Sequence, residues 1–354
     1  MRKNPSALPA PRHLVIPLFI PQQGCPHHCI FCNQRAITGA PFRVPSAGDL
    51  ETEVNRYLAH SQKHYASVEI SFFGGNFLGL PADQIQELLA LAAGFVRRGH
   101  VHSIRFSTRP DTIFPHTLDL VAPFPVSTIE LGVQSMQDAV LDTALRGHRA
   151  ANVIAAARQV KARGYRLGLQ MMVGLPADDA ASAMDTARQL ALLEPDFVRI
   201  YPTLVLKDSP LAELFYRGRY QPLSLGACIT QVKALFLFFR QHPIPVARMG
   251  LQASDTLSGS ALVAGPYHPS LGHLVHGEIA LDAIFSVLKT SPPEGEAISI
   301  AVHPRRVSRI QGLNQRNLTV LRKHYPASEI RIHQDETLDL NQIRVGHQNV
   351  TVVS

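Results

Sequence analysis

The chain has 354 residues, 45% of them hydrophobic, with 34 Lys and Arg against 27 Asp and Glu for a formal charge of +7. Such a length sets a prior of about two domains, and such an apolar share fills a substantial core, which excludes a fibrous or disordered chain. Four cysteines are too few for a disulfide scaffold, the proline-broken start lacks a secretory h-region and cleavage site, and no run approaches the roughly 18 apolar residues of a membrane span, so a soluble, cytoplasmic protein with reduced thiols and no membrane partner is expected.

From residue 13 to about 201, short β-branched or apolar runs alternate with longer amphipathic ones, the pattern of a βαβ series. The first strand is expected at 13–20. Directly after it comes Gly24-Cys25-Pro26-His27-His28-Cys29-Ile30-Phe31-Cys32, three of the four cysteines within eight residues. Three thiolates can ligate three irons of a cubane and leave the fourth iron open for chemistry, whereas an electron carrier takes four. A zinc site that recruits His27, His28 or Cys228 as a further ligand is the alternative. A helix is expected near 47–61, and a strand at 67–73 runs into Gly74-Gly75-Asn76, where two glycines allow close approach to the backbone. Next come a helix at 82–98, a strand at 103–107 leading into Thr108-Arg109-Pro110-Asp111, and a helix at 115–121. A strand at 128–132 continues into Val133-Gln134-Ser135, with Arg146-Gly147-His148 beyond it. A helix at 150–164, a strand at 166–172 carrying Gln170, a helix at 178–193 and a strand at 197–201 complete the series. Met171 and Met172 read as barrel packing, and Tyr201 as either packing or a substrate contact. The expected fold is α/β: a partial (β/α)6 TIM-like barrel with a small α+β C-terminal extension. Its ligands would bind at the carboxyl ends of the strands, where the cysteine loop lies.

Past the sixth strand, a long helix at 224–242 carries Cys228, which reads as a buried structural thiol. A further strand at 245–251 and a turn-rich stretch at 254–270 precede a helix at 273–289, a strand at 297–302, a basic helical stretch and strands near 328–333 and 342–353. The domains expected are 13–252 and 271–354. Residues 297–328 contain no acidic residue but carry Arg305, Arg306, Arg309, Arg316, Arg322 and Lys323, a phosphate-seeking surface if exposed together. Within it, Gly312-Leu313-Asn314-Gln315 is faintly similar to the GXXG loop of a KH module, with a plain solvated helix pair as the alternative. Neither GxGxxG at a strand-helix junction nor GxxxxGKS is present, so dinucleotide and P-loop binding are not indicated.

The run CPHHCIFC has the CxxxCxΦC spacing of radical S-adenosylmethionine (radical SAM) enzymes, with Phe31 at the aromatic position. TRPD at 108–111, ELGVQS at 130–135 and RGH at 146–148 resemble, in this order, the radical SAM domain of the Elongator catalytic subunit and its bacterial relatives, over roughly 14–252. The resemblance implies a 4Fe-4S cluster on Cys25, Cys29 and Cys32, with S-adenosylmethionine chelating the open iron and cleaved reductively to methionine and a 5'-deoxyadenosyl radical. It further implies cofactor contacts from Phe31, from Gly74 and Gly75 at the methionine amino group, from Gln134 and Gln170 at the nucleoside, and from Arg146 at the methionine carboxylate. Asn76 stands where glutamate is common, and Ser107 where the coproporphyrinogen dehydrogenase branch has a ribose-binding glutamate. By the same resemblance, an electron donor such as a flavodoxin or ferredoxin is implied, and 354 residues leave no room for the acetyltransferase domain of the Elongator subunit. The substrate expected is RNA, specifically tRNA, with a tetrapyrrole or a protein as alternatives. The reading from another class is a non-catalytic RNA-binding protein with a structural metal site. No catalytic side chain is assigned.

Overall fold

The computed structural model describes residues 13–20, 22–39, 43–60, 65–292 and 297–352. The β-branched runs form strands β1 (His13–Phe19), β2 (Ser67–Phe73), β3 (Ser103–Thr108), β4 (Val126–Gln134), β5 (Arg166–Val173) and β6 (Phe197–Pro202). After a two-residue strand β7 (Val205–Leu206), strand β8 (Val246–Met249) returns to the sheet beside β6. The order β1-β2-β3-β4-β5-β6-β8 is parallel at every pairing, so the expected six-stranded partial barrel is present and β8 extends it by one strand.

Helices α1 (Gln34–Thr38), α2 (Ala47–Ala59), α3 (Ala82–Arg97), α4 (Pro115–Val121), α5 (Asp138–Thr143), α6 (Ala150–Ala162), α7 (Ala180–Ala191), α8 (Pro210–Tyr216) and α9 (Leu225–Gln241) fill the connections. Several begin where a short polar side chain can satisfy a free backbone N–H. Ser46, Asp179, Ser209 and Ser224 each accept from the backbone three residues on. The turn-rich stretch at 254–270 holds a helical turn α10 (Asp255–Ser258) and strand β9 (Leu262–Ala264), which pairs antiparallel with β7.

Helix α11 (Leu271–Thr290) belongs to two cores. Leu271, Leu274, Val275 and Ile279 pack with the barrel and its helices. Leu281, Ile284, Val287 and Leu288 pack with a four-stranded sheet formed by β10 (Ala297–Val302), β11 (Glu329–Gln334), β12 (Gln342–Val345) and β13 (Gln348–Thr351). A helix apolar around most of its circumference is a buried helix. α11 is 20 residues long and an 18-residue window of it has a mean hydropathy of 1.3, so by length and composition alone it could cross a membrane, which corrects the expectation that no run approaches a span; 56% of that window is buried inside the protein.

Between β10 and β11 lie α12 (Val307–Gln311) and α13 (Arg316–His324), joined by the Gly312–Gln315 turn with Asn314 and Gln315 at positive φ. The single strand expected at 342–353 is a hairpin. Gly346, at φ +58°, opens its two-residue turn, where a glycine-first loop matches the twist of the flanking strands.

Ile284 is fully buried in the second core, so Ile284→Ala should cost about 2–5 kcal/mol in urea unfolding. Leu192, 83% exposed, is the control, and Leu192→Ala should change stability by no more than about 0.5 kcal/mol.

Candidate active site

β1 delivers the chain at its carboxyl end into a loop that holds all three clustered cysteines. The end of β2 pins this loop: Gln22 N donates to Gly74 O (2.9 Å), Asn76 N donates to Gln23 O (2.9 Å) and Asn76 Nδ2 donates to Gly24 O (2.7 Å). A Cβ on Gly75 would lie 2.3 Å from Ile20 O and 2.8 Å from Gln23 O. At this position the backbone that glycine admits is that of the cysteine loop itself, while Gly74 makes the turn at φ +87°. On the far side, Ile30 N donates to Ala144 O (3.1 Å), and Cys32 N donates to Cys29 O within the loop (3.0 Å).

Asn76 is fully buried and ties three loops together. Its Oδ1 accepts from Thr108 Oγ1 (2.7 Å), Thr112 Oγ1 (2.9 Å) and the backbone N of Arg109 (2.9 Å), so the cysteine loop and the segment after β3 share one amide. The sequence reading gave this side chain no role. Its only signal was an amide directly after a double glycine.

Two guanidiniums face Cys29, which is buried. Arg146 Nη1 lies 3.3 Å and Arg109 Nη1 3.8 Å from its Sγ. Arg109 is itself oriented by Asp111, which accepts from Nε (2.9 Å) and Nη2 (2.8 Å), and it also donates to the carbonyl of Arg146. Burial works against the Asp111 carboxylate, yet its pairing with Arg109 holds the pKa below the usual range. Arg146 Nη2 donates to Gly132 O (2.6 Å), and its Nε is buried with no partner among the described residues. Burial pushes the Cys25 thiol up, with Arg146 and Arg109 opposing, and pushes Cys32 up to about 12, with the neighbouring thiols adding to the effect. Burial and Arg146 together lower His148 to about 3, so it stays neutral behind the arginines.

The other predicted contacts converge from β4 and β5. The register between these strands shifts between Gly132 and Gln134, and Gln134 takes φ +71°. There Gln134 Oε1 accepts from Gln170 Nε2 (3.0 Å). Both Arg146 and Gln134 reach toward Gly132, where an added Cβ would stand 2.9 Å from Arg146 Nη2 and 3.0 Å from Gln134 Nε2. Phe31 and Tyr201 both pack against the cluster of Met172, Val140, Ala144 and Leu175, while Met171 lies in the main core, so both methionines pack as expected. Cys228 is wholly buried in the core on α9, and burial pushes its thiol up to about 12. Gly74 and Gly75 join the group through Asn76 and Arg109 rather than by direct contact with Gln134 or Arg146.

Below these groups the barrel lumen is charged, which sequence reasoning missed. Arg105 pairs with Glu69 and Glu130, and Arg199 pairs with Glu130 (2.7 Å) and donates to Tyr201 Oη (3.4 Å). These residues sit on alternate positions of β2, β3, β4 and β6, so they share the inward face. The available signal was a charge at one alternate position of otherwise apolar strands.

Among the described residues, no three His, Cys, Asp or Glu side chains gather closely enough to hold a single metal ion. A cubane takes each thiolate on its own iron, so three separate thiolates in one loop suit it. Two guanidiniums aimed at one thiol sulfur suit an anionic iron-sulfur centre, so the residues present fit a cluster.

The comparisons with known proteins agree. The sequence profile of the radical SAM superfamily matches residues 19–190, and that of the Radical SAM C-terminal domain matches 195–280. An uncharacterized protein of Methanocaldococcus jannaschii is 28% identical over 263 residues, 71% of this chain and 78% of that protein. A tRNA uridine(34) acetyltransferase of Dehalococcoides mccartyi is 25% identical over 246 residues, covering 60% of this chain and 54% of that protein's length. The solved structure of an archaeal Elp3 from Methanocaldococcus infernus, with an N-terminal deletion, superposes with a TM-score of 0.60 over 82% of this chain and 70% of that one, at 17% identity, and so shares the fold.

Removing the Asn76 amide would leave the Gly24 carbonyl and the Arg109 N–H without their partner, while the Thr108 and Thr112 hydroxyls keep each other and Thr112 keeps the Arg109 carbonyl. Asn76→Ala should therefore lower stability by about 2–4 kcal/mol in denaturant unfolding. A loss under about 0.5 kcal/mol would mean that the amide does not hold the loops together.

Proposed function

The chain belongs to the radical SAM superfamily, whose enzymes use a 4Fe-4S cluster and S-adenosylmethionine, and on that footing we propose that Cys25, Cys29 and Cys32 hold the cluster. The observation that carries this reading is the cysteine loop at the barrel mouth with Arg109 and Arg146 directed at Cys29. What the cofactors supply is one-electron cleavage of the sulfonium to methionine and a 5'-deoxyadenosyl radical.

The chain's own residues position and shield that chemistry. Arg109 and Arg146 donate to the Cys29 sulfur, which fixes its orientation and draws electron density from it. In this reading the Nε of Arg146, which has no hydrogen bond among the described residues, would donate a single charge-assisted hydrogen bond to the methionine carboxylate. The Gln134–Gln170 amide pair offers polar atoms to the nucleoside, and the turn at Gly74 and Gly75 offers backbone to the methionine amino group. Phe31, packed on Met172, keeps water from the loop. For substrate we favour tRNA, supported by the likeness to the acetyltransferase and by the +7 charge. A flavodoxin or ferredoxin would supply the electron, in the cytoplasm.

Anaerobic reconstitution with iron and sulfide tests the ligand set. Alanine at Cys25, Cys29 or Cys32 should abolish the brown chromophore and 5'-deoxyadenosine formation, and Cys228→Ala should retain both. A Cys228→Ala variant that lost its iron as fully as Cys29→Ala would overturn the assignment.

Arg146→Ala should keep its iron but bind S-adenosylmethionine more weakly by about 2 kcal/mol in calorimetry. Unchanged affinity would confine Arg146 to packing the loop. Added tRNA should raise 5'-deoxyadenosine yield and acquire a mass change at one nucleoside; no response would remove tRNA as substrate.

A further inference from the structure

A group of basic side chains meets between α11, α12 and the end of α9, and among the described residues no carboxylate acts on it. Arg306 and Arg309 lie one turn apart where α12 begins, and neither guanidinium has a hydrogen bond or ion pair among the described residues. Arg306 Nε and Arg309 Nη1 are buried and unpartnered. Facing them on α11, His276 Nδ1 is also buried without a partner, its ring set edge-on against Phe236 with centroids 5.0 Å apart. His273, one turn earlier, meets the backbone of Ser308.

Burial and their neighbouring arginines lower both Arg306 and Arg309, and no acidic group offsets this. Burial, then Arg309 and Arg306, lower His276 to about 4, so it serves as a neutral N–H donor. The carboxylates of α11 are engaged elsewhere: Glu278 pairs with Arg316, and Asp282 with Lys233. Unpaired, partly buried cations are a standing cost to the folded state, and planar guanidiniums match phosphate oxygens two at a time.

The location suits a substrate site. Leu271, at the start of α11, packs on Gly250 just beyond the carboxyl end of β8. His273 and His276 therefore stand only about 3 and 8 Å along the helix from the barrel-mouth end of the sheet.

We propose that Arg306, Arg309, His273 and His276 form a phosphate site beside the barrel mouth, which seats a backbone phosphate of the polynucleotide substrate. The identity of the polymer rests on the tRNA reading; the phosphate chemistry does not. The site divides the basic stretch at 297–328: Arg316 is neutralised by Glu278, while Arg322 and Lys323 are exposed on α13.

Labelled tRNA titrated at several salt concentrations onto reconstituted holoenzyme tests this. Arg306→Gln/Arg309→Gln should weaken binding about tenfold or more and flatten the log-log salt slope by about one to two units. Arg322→Gln/Lys323→Gln should change affinity less than about threefold, and Arg309→Lys, which keeps the charge but loses the fork, should fall between wild type and the double variant. Iron content and 5'-deoxyadenosine formed without tRNA should be unaltered. In buffer free of polyanions the double variant should melt no lower than wild type, because it removes unpaired charges. If tRNA binds wild type and double variant alike, this inference falls and the tRNA reading stands. If wild type fails to bind tRNA even at low salt while millimolar inorganic phosphate raises its melting temperature, and the double variant loses that response, the pocket takes free phosphate; the polynucleotide assignment and the tRNA reading then both fall.

Discussion

The buried Asn76 side chain bonds inward from both ends of its amide: Nδ2 donates to the Gly24 carbonyl, and the amide oxygen accepts from two threonine hydroxyls and the Arg109 N–H. Through it the ends of β1, β2 and β3 become one rigid unit. The placement of Cys29 under Arg109 follows, because the cysteine loop hangs from Gly24 and Arg109 starts the segment that Asn76 holds. A buried amide with four partners resists substitution more than an apolar contact of the same size, since its loss leaves the Gly24 carbonyl and the Arg109 N–H without their partner.

Beneath this layer the lumen is filled by ion pairs where a closed TIM barrel stacks branched apolar side chains. Glu130 lies between Arg105 and Arg199, and Glu69 completes the pairing of Arg105. Such a floor contributes little net stability beside well-packed apolar residues. It does give the open barrel a fixed polar base from which Arg199 reaches the Tyr201 hydroxyl. Tyr201 and Phe31 both pack on the cluster of Val140, Ala144, Met172 and Leu175, which lies between the floor and the cysteine loop.

The parallel barrel was legible in the sequence because each strand is a short apolar run and each helix an amphipathic one, signals carried within single segments. The cysteine loop was legible for the same reason. What escaped is what long-range pairing decides. Nothing local to Asn76 announces partners at Gly24 and Thr108, and nothing local to Glu69 announces Arg105 on the next strand. The short helix at Asp138–Thr143 and the Gly346 turn lie near the lower limit of what periodicity can register. α11 was seen as a helix, but not that its two ends serve different cores, since its all-round apolar character fits a buried helix and a membrane span equally well until its neighbours are known.

One criterion separates structural cations from candidate binding cations throughout the molecule. Arg105, Arg199 and Arg109 are deeply buried, and each meets a carboxylate, so their charges are satisfied by the fold. Arg146 retains a buried unpartnered nitrogen beside the cysteines, and Arg306 and Arg309 retain theirs beside two neutral histidines. Folding alone has no reason to desolvate a guanidinium donor and leave it idle, because the lost hydration is not returned. Arg105 Nε and Arg199 Nε also lack a hydrogen bond, but Glu69 and Glu130 stand beside those guanidiniums, whereas Arg146, Arg306 and Arg309 have no ion pair among the described residues. On the reading proposed above, the Arg146 nitrogen serves the small anionic group at the cysteine loop, and those of Arg306 and Arg309 serve a phosphate beside α11.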